Sequence, residues 1–165
     1  MLLAGRPLWI KRVMSEYEIS KCEKKFVEQY SALMDEFVNE YGTPFYDKNY
    51  FETLIDIVIP ADDSICLHLL KNGKVIGVVL GIIQLHPFAP SLTVLTEMAW
   101  FVTKEERKTS WSIRLMKAFE DKGKEAGADY IVLALIGQLQ GDRLQAIYER
   151  MGYSLVEKSF FKKVM

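Results

Sequence analysis

The chain has little cysteine: Cys22 and Cys66 are the only two in 165 residues. Two cysteines are too few for a disulfide framework or for a zinc site with recognisable spacing, so we predict no metal. Free cysteine is usually buried, and we expect two buried thiols. Neither sign of charge is in excess either, because 21 Lys and Arg face 22 Asp and Glu, a formal net charge of -1. The bulk charge therefore does not indicate nucleic acid as a partner, although it does not exclude it.

Long hydrophobic runs are also missing. The longest unbroken run of apolar and glycine residues, from Val75 to Ile83, is far shorter than the roughly 20 residues of a membrane-spanning helix. The N-terminal stretch MLLAGRPLW lacks the apolar segment of a secretory signal. We therefore expect a cytoplasmic protein with no membrane partner.

The composition that remains is that of a globular protein, with 50% hydrophobic, 26% charged and 12% aromatic residues. A chain of this length buries roughly two thirds of its unfolded surface, enough for a core. Repeats, low-complexity segments and linkers are not evident, which predicts a single domain over residues 1–165.

Hydrophobic periodicity and turn residues predict the element order β-α-α-β-β-β-α-β-α-β. The predicted elements are a strand Leu8 to Met14, a long helix from about Glu18 to Tyr41, a helix Tyr46 to Ile57 capped near Asp47, strands Ser64 to Leu70 and Val75 to Gln84, an extended run Ser91 to Thr103, a helix Ser110 to Ala126, a strand Tyr130 to Ile136, a helix Asp142 to Met151, and one or two strands in Tyr153 to Val164.

Two connections determine how the predicted strands pair. Asn72-Gly73 lies between two apolar runs and predicts a tight antiparallel hairpin. The helix that begins near Ser110 separates two strands, and such a β-α-β unit requires a parallel pair. The expected fold class is α/β (α+β), with a mixed, mostly antiparallel central sheet of six to seven strands and helices on both faces.

The junction between the strand ending at Val102 and the following helix carries cationic and hydroxyl side chains. Backbone N–H groups in the first turn of a helix lack intrahelical partners and bind anions such as phosphate. Arg107, Lys108, Thr109, Ser110 and Ser112 add donors at that end. The segment fits a phosphate site, or an ordinary helix start with solvated charges.

Two further features, the β-α-β order and a C-terminal motif, favour the phosphate site. Arg107-x-x-Ser110-x-Ser112 is in register with the phosphate-loop motif Q/R-x-x-G-x-G/A, and about forty residues later the chain reads Tyr148-Glu149-Arg150-Met151-Gly152-Tyr153. Together with the element order, these motifs resemble the GNAT superfamily of acetyl-CoA-dependent N-acyltransferases. The chain departs from that pattern where serines replace both loop glycines and where Gly141 stands in place of an asparagine. The C-terminal stretch through Phe161 also resembles, more loosely, bacteriophage acetyltransferases.

The resemblance implies acetyl-CoA as cosubstrate and a place for it. The pantetheine arm would lie between the strand ending at Val102 and the next parallel strand. Its contacts would be Trp100, Phe101 and Val102, and the diphosphate would contact Arg107, Lys108, Thr109, Ser110, Trp111 and Ser112.

The resemblance also implies catalytic roles. Tyr148 would donate a proton to the departing CoA thiolate, since a tyrosine is protonated at neutral pH; alternatively it packs on the sheet. Glu97 is the best candidate for the base that deprotonates an amine, and the alternative is a solvent-facing strand residue. His86 is a weaker candidate. The first two helices would bind the acceptor through Tyr46, Tyr50 and Glu52, by cation-π and ion-pair contacts, unless these residues belong to the core.

The predicted function is transfer of an acetyl group from acetyl-CoA to a primary amine, by direct attack in a ternary complex. Cys22 and Cys66 lie outside the expected site, which disfavours a covalent cysteine intermediate. Two alternatives remain: a catalytically degenerate binding or regulatory module, and an acyltransferase that modifies bases of phage DNA. The expected partners are acetyl-CoA and an amine, and the chain would be a monomer or a homodimer.

Overall fold

The first described strand lies where the sequence predicts the start of a helix. The computed structural model describes residues 16–42, 46–135, 141–160 and 162–164, so the predicted strand over residues 8–14 lies outside the described part. β1 (Tyr17–Lys21) pairs antiparallel with β2 (Ser64–Lys71), with Ile19 opposite Leu69. The predicted helix from Glu18 is therefore wrong over β1, because pairing with β2 outweighs a three- and four-residue spacing that a short apolar segment satisfies by chance.

Two helices follow β1. A short 3-10 turn (Lys24–Phe26) leads into α1 (Val27–Tyr41), which ends at Gly42 in a left-handed conformation with φ 63°. α2 (Lys48–Val58) begins as predicted, because the Asp47 side chain accepts a hydrogen bond from the backbone N–H of Tyr50 at 2.9 Å.

The central hairpins follow the predicted pairing. β2 and β3 (Lys74–His86) are antiparallel, and Asn72 and Gly73 between them have φ values of 50° and 80°, the positive angles of a two-residue hairpin turn. β4 (Ala89–Val102) pairs antiparallel with β3.

A parallel strand completes the described sheet. α3 (Trp111–Glu125) connects β4 to β5 (Tyr130–Val132), which pairs parallel with β4. The strand order is β1-β2-β3-β4-β5. This arrangement confirms a mixed, mostly antiparallel sheet in an α+β fold.

The described sheet has five strands, whereas the sequence predicts six to seven. α4 (Gly141–Arg150) follows β5. Of residues 153–164, none that the structure describes belongs to a strand. A strand requires a hydrogen-bonded neighbour, and this segment instead exposes apolar side chains such as Val156 and Phe160, the latter 94% exposed.

The core lies on both faces of the sheet. On one face, Tyr30 and Leu33 of α1 and Ile55 and Val58 of α2 pack against the sheet beside Phe101. On the other, the α3 residues Leu115, Met116 and Phe119 pack against strand residues that include Leu69, Val79 and Leu95. Helices therefore cover both faces, as predicted. Within the described ranges, no helix is sufficiently long and apolar to span a membrane.

Candidate active site

The neighbouring strands β4 and β5 diverge part-way along their length. Their pairing covers only Val94–Thr96 and Tyr130–Val132, whereas β4 continues to Val102. At the divergence the β3–β4 register shifts, since Leu80 is opposite Ala99 while Gly81 is opposite Glu97. Met98 is thus the extra residue of a β-bulge, a feature that bends the strand carrying it. β5 ends at Val132, before the end of the predicted strand Tyr130 to Ile136, because its pairing with β4 stops where the two strands diverge.

A cavity of about 590 Å³ lies beside the diverging part of β4. α1, β4, the turn before α3, residue 134 and α4 all contribute to it. Its lining residues are Phe37, Tyr41, Glu97, Met98, Ala99, Trp100, Phe101, Val102, Lys104, Glu105, Arg107, Lys108, Ser112, Ile113, Ala134, Arg143, Leu144, Ile147 and Tyr148.

Glu97 is a buried acid at the point where the strands separate. Glu97 is only 7% exposed. Its Oε2 accepts a hydrogen bond from the backbone N–H of Ala134 at 2.9 Å. Burial raises the pKa of Glu97 from 4.5 to about 7, against a smaller lowering by the Ala134 N–H. The carboxyl group therefore titrates near neutral pH.

Tyr148 reaches the same residue, Ala134, from α4. Its hydroxyl donates to the carbonyl oxygen of Ala134 at 3.1 Å, and its ring stacks near Trp100, with the centroids 6.1 Å apart. Burial, and then the charge of Glu97, raise the pKa of Tyr148, so the hydroxyl is protonated at neutral pH. The two predicted catalytic side chains thus meet at the N–H and C=O groups of one residue.

The turn before α3 and the first turn of that helix line the cavity. The former contains a short 3-10 turn (Glu106–Lys108), and the first backbone hydrogen bond of α3 joins Arg114 N–H to Ser110 C=O at 3.0 Å. The N–H groups of Ser112 and Ile113 precede that bond, and groups in this position have no intrahelical partner. Ser110 has φ -71° and Ser112 is helical, so neither position requires the left-handed backbone that favours glycine.

The structure divides the predicted cofactor contacts into two groups. Those that line the cavity are Trp100, Phe101, Val102, Arg107, Lys108 and Ser112. Thr109, Ser110 and Trp111 are not among the described residues that line it. Trp111 instead stacks on Tyr17, with the ring centroids 4.7 Å apart, and the backbone N–H of Trp111 donates to Thr109 Oγ1.

Arg107 has partners within the protein. Its two terminal nitrogens donate to the two carboxylate oxygens of Glu40 at 2.6 and 2.7 Å, and Nε donates to the carbonyl oxygen of Val102 at 2.7 Å. This bidentate pair raises the pKa of Arg107 and lowers that of Glu40. The Arg107 guanidinium thus lines the cavity, and Glu40 of α1 balances its charge.

The predicted acceptor residues are elsewhere in the described structure. The Tyr46 hydroxyl donates a hydrogen bond to Asp35, and Glu52 accepts one from the Ser31 hydroxyl. Tyr50 is 67% exposed. None of the three is among the described lining residues, so their role stays a prediction.

The first helices instead contribute Phe37 and Tyr41 to the cavity. Sequence reasoning also missed Lys104 and Arg143. Arg143 is five residues before Tyr148, outside the three- and four-residue spacing of one helix face, so that spacing gave no signal for it. Lys104 lies in the cationic junction after Val102, and that location was a usable signal.

The remaining candidates lie away from this cavity. Cys22 and Cys66 are buried, as predicted, and burial raises the pKa of the Cys22 thiol to about 12. His86 lies in the β3–β4 turn, where Nδ1 accepts from the Phe88 N–H. Over the described ranges, no three His, Cys, Asp or Glu side chains form a group that could hold a metal ion.

Comparison with known proteins now identifies the fold. A model of the acetyltransferase (GNAT) family matches residues 27–153, which is more than half of the chain. The chain belongs to the GNAT acetyltransferase family. The matched residues contain α1, β4, α3 and α4, and hence every wall of the cavity. Among curated protein sequences, none is significantly similar to this GNAT chain.

Solved structures share the GNAT fold at low sequence identity. A ribosomal-protein-alanine N-acetyltransferase from Brucella melitensis is 16% identical, with a TM-score of 0.71 over 90% of this chain and 99% of that one. The aminoglycoside acetyltransferase AAC(6')-Iy, bound to a bisubstrate analogue of CoA, is also 16% identical, with a TM-score of 0.74 over 92% and 99%. A transcriptional regulator from Bacillus halodurans has a TM-score of 0.76 at 12% identity, over 90% and 99%. At identities this low, the structural similarity shows the fold alone and leaves the acceptor open.

Proposed function

We propose that this GNAT protein transfers the acetyl group of acetyl-CoA to a primary amine by direct attack in a ternary complex. The observation that carries the proposal is the meeting of Glu97 and Tyr148 at Ala134, inside a cavity bounded by the start of α3. A proton acceptor and a proton donor then flank one reaction space.

The cavity contains the donors that CoA requires. The N–H groups of Ser112 and Ile113, with Lys104, Lys108 and Arg143, supply hydrogen bonds and positive charge to phosphate groups. The backbone of β4 from Trp100 to Val102 would contact the amides of the pantetheine arm. Acetyl-CoA itself supplies an activated acetyl thioester.

Glu97 acts as the general base in this proposal. An alkyl ammonium has a pKa of about 10, so a proton must leave before the nitrogen attacks. A base is most effective when its pKa is near the working pH, and burial places Glu97 there, at about 7.

Tyr148 acts as the general acid. Its hydroxyl holds a proton that it now shares with the Ala134 carbonyl. As the C–S bond breaks and negative charge develops on the sulfur, that proton passes from Tyr148 to the leaving thiolate. The proton that the attacking nitrogen loses as the amide forms then restores the Tyr148 hydroxyl.

Binding and turnover together test the function. A ligand at 100 times its dissociation constant adds about 2.7 kcal/mol to folding stability, so CoA should raise the melting temperature measurably. Thiol release from acetyl-CoA should then depend on an amine. The amine panel should include an aminoglycoside and an alanine peptide, the acceptors for which the two acetyltransferases of similar fold are named. An isothermal titration in which CoA does not bind to the protein would contradict the proposal.

A second candidate is a binding or regulatory module without catalysis. Gly141, which stands in place of the asparagine of the family pattern, favours it. A thermal shift with CoA but no turnover across the amine panel would select this function. Turnover with any amine would exclude it.

A further inference from the structure

Two consecutive side chains anchor the turn before α3 to opposite parts of the protein. Glu106 is buried at 7% exposure and binds Lys71 Nζ at the end of β2, at 2.7 Å. It also accepts a hydrogen bond from the hydroxyl of Tyr17 in β1 at 2.9 Å. Arg107 pairs instead with Glu40 of α1. We call Glu40, Lys71, Glu106 and Arg107 the turn clamp.

The backbone of the turn has modest support of its own. Glu106 N–H and Arg107 N–H both donate to the carbonyl of Thr103, at 3.0 and 3.2 Å. Such short 3-10 turns have poorer hydrogen-bond geometry than an α-helix. The ion pairs of the turn clamp therefore contribute much of what holds the turn against β2 on one side and α1 on the other.

The cations of the cavity differ in whether they have a partner. Arg107 has its charge balanced by Glu40, with 21% and 18% of the two side chains exposed. Lys104, Lys108 and Arg143 also line the cavity, and none of them forms a salt bridge with a residue in the described ranges, although the charge of Lys104 helps to lower the pKa of Glu40. An incoming phosphate therefore meets three cations that are not held in a salt bridge within those ranges.

We propose that the turn clamp positions the start of α3 for an anionic ligand, and that Arg107 is a positioning residue and not itself a ligand of the CoA diphosphate. Glu106 and Arg107 act through the backbone that leads to the N–H groups of Ser112 and Ile113. The inference rests on the proposed function, because CoA is the ligand that these groups would bind.

Glu40→Gln separates the two roles of Arg107 by the sign of its effect. If Arg107 binds the diphosphate, removing its competing carboxylate leaves the dissociation constant of CoA unchanged or lowers it. If the pair positions the turn, the dissociation constant and the KM for acetyl-CoA rise about tenfold while kcat stays within about twofold. Glu28→Gln is the matched control, since Glu28 is an exposed acid on the same helix and should leave both constants unchanged.

Lys71→Met tests the other side of the clamp. It removes the partner of Glu106 and leaves the pair of Arg107 and Glu40 in place, and it should also weaken CoA binding several-fold with kcat preserved. Lys74→Met removes the same charge from the same hairpin and should have no effect. CoA binding by both Glu40→Gln and Lys71→Met at the wild-type dissociation constant would overturn the inference.

Amide hydrogen exchange over residues 103–113 gives a readout that needs no ligand. Exchange should accelerate in Glu40→Gln and Lys71→Met, and not in their controls. If wild-type protein binds no CoA, the proposed function fails, and the exchange rates still decide whether the clamp holds the turn. Unchanged exchange in both variants would show that it does not.

Discussion

Glu97 combines a catalytic opportunity with a cost in stability. Burial raises its pKa from 4.5 to about 7, so between these values the folded protein keeps a proton that the unfolded chain has released. Folding stability therefore falls as pH rises through this window, by about 3 kcal/mol in total. Above pH 7 the folded protein holds a buried carboxylate whose hydrogen-bond donor is the N–H of Ala134.

Glu97→Gln should separate these two effects. The amide keeps an acceptor for the Ala134 N–H but cannot ionise, so the variant should unfold at a higher temperature than wild type at pH 8 and similarly at pH 4. The wild-type rise of kcat/KM with an apparent pKa near 7 should disappear, with activity at pH 8 lower by about 10²-fold. Melting curves and pH-rate profiles measure both; a retained alkaline rise would remove Glu97 as the base.

Tyr148→Phe tests the proton donor with little change in shape. The ring can keep its contact with Trp100, so CoA should bind with an affinity close to that of wild type. Turnover should fall by about 10²-fold or more, because the leaving thiolate loses its acid. Tyr153→Phe is a suitable control, since the Tyr153 hydroxyl binds Glu120 rather than the Ala134 carbonyl. Equal turnover in wild type and Tyr148→Phe would contradict the assignment.

At the scale of elements, the bulged part of β4 depends on how closely α3 approaches the sheet. Gly81 of β3 lies opposite Glu97 of β4 and faces α3. A methyl group there would lie 2.5 Å from Phe119 Cζ and 2.8 Å from the carbonyl oxygen of Thr96. The absence of a side chain at Gly81 therefore permits the close contact between β3, β4 and α3.

Gly81→Ala should destabilise the fold by about 1 to 3 kcal/mol, the usual cost of overpacking a filled core. The backbone carbonyl of Thr96 cannot rotate away as a side chain would, so α3 and β4 must shift. Gly141→Ala is the control, because its added methyl group would be 3.7 Å from Leu135, an ordinary contact. Urea unfolding measures both variants, and equal midpoints would show that α3 moves at no cost.

At the scale of the whole molecule, one buried histidine joins three elements. His68 of β2 is fully buried, with Nδ1 2.7 Å from the hydroxyl of Tyr30 in α1 and Nε2 2.9 Å from the hydroxyl of Ser20 in β1. Burial lowers the pKa of His68. The folded protein thus favours neutral imidazole, whereas the unfolded chain takes up a proton near pH 6.5.

Stability should consequently fall as pH drops below about 6.5, the ordinary pKa of histidine. His68→Leu should lose this acid dependence while being less stable at every pH, because two hydroxyl groups lose their partner. His86→Leu is the control, since His86 lies at the end of β3 and outside the buried core. Denaturant unfolding between pH 5 and pH 8 gives the slopes, preferably in the Glu97→Gln background, where the opposing dependence is absent. Parallel curves for wild type and His68→Leu would contradict this expectation.

Local sequence determined the features that depend on a few neighbouring residues. Asn72-Gly73 determined the hairpin, because the turn needs two positive φ angles, and Asp47 determined the start of α2 by capping a free N–H. The motifs around Arg107 and Tyr148 were sufficient to indicate the family.

Only the tertiary structure decided the rest. Pairing with β2 made Tyr17–Lys21 a strand, and the divergence of β4 from β5 brought Glu97 and Tyr148 to the two sides of Ala134. The partner of Arg107, Glu40, comes from a distant helix. Such contacts join residues far apart in the chain, so their free energies depend on the folded arrangement and leave no periodic pattern in the sequence.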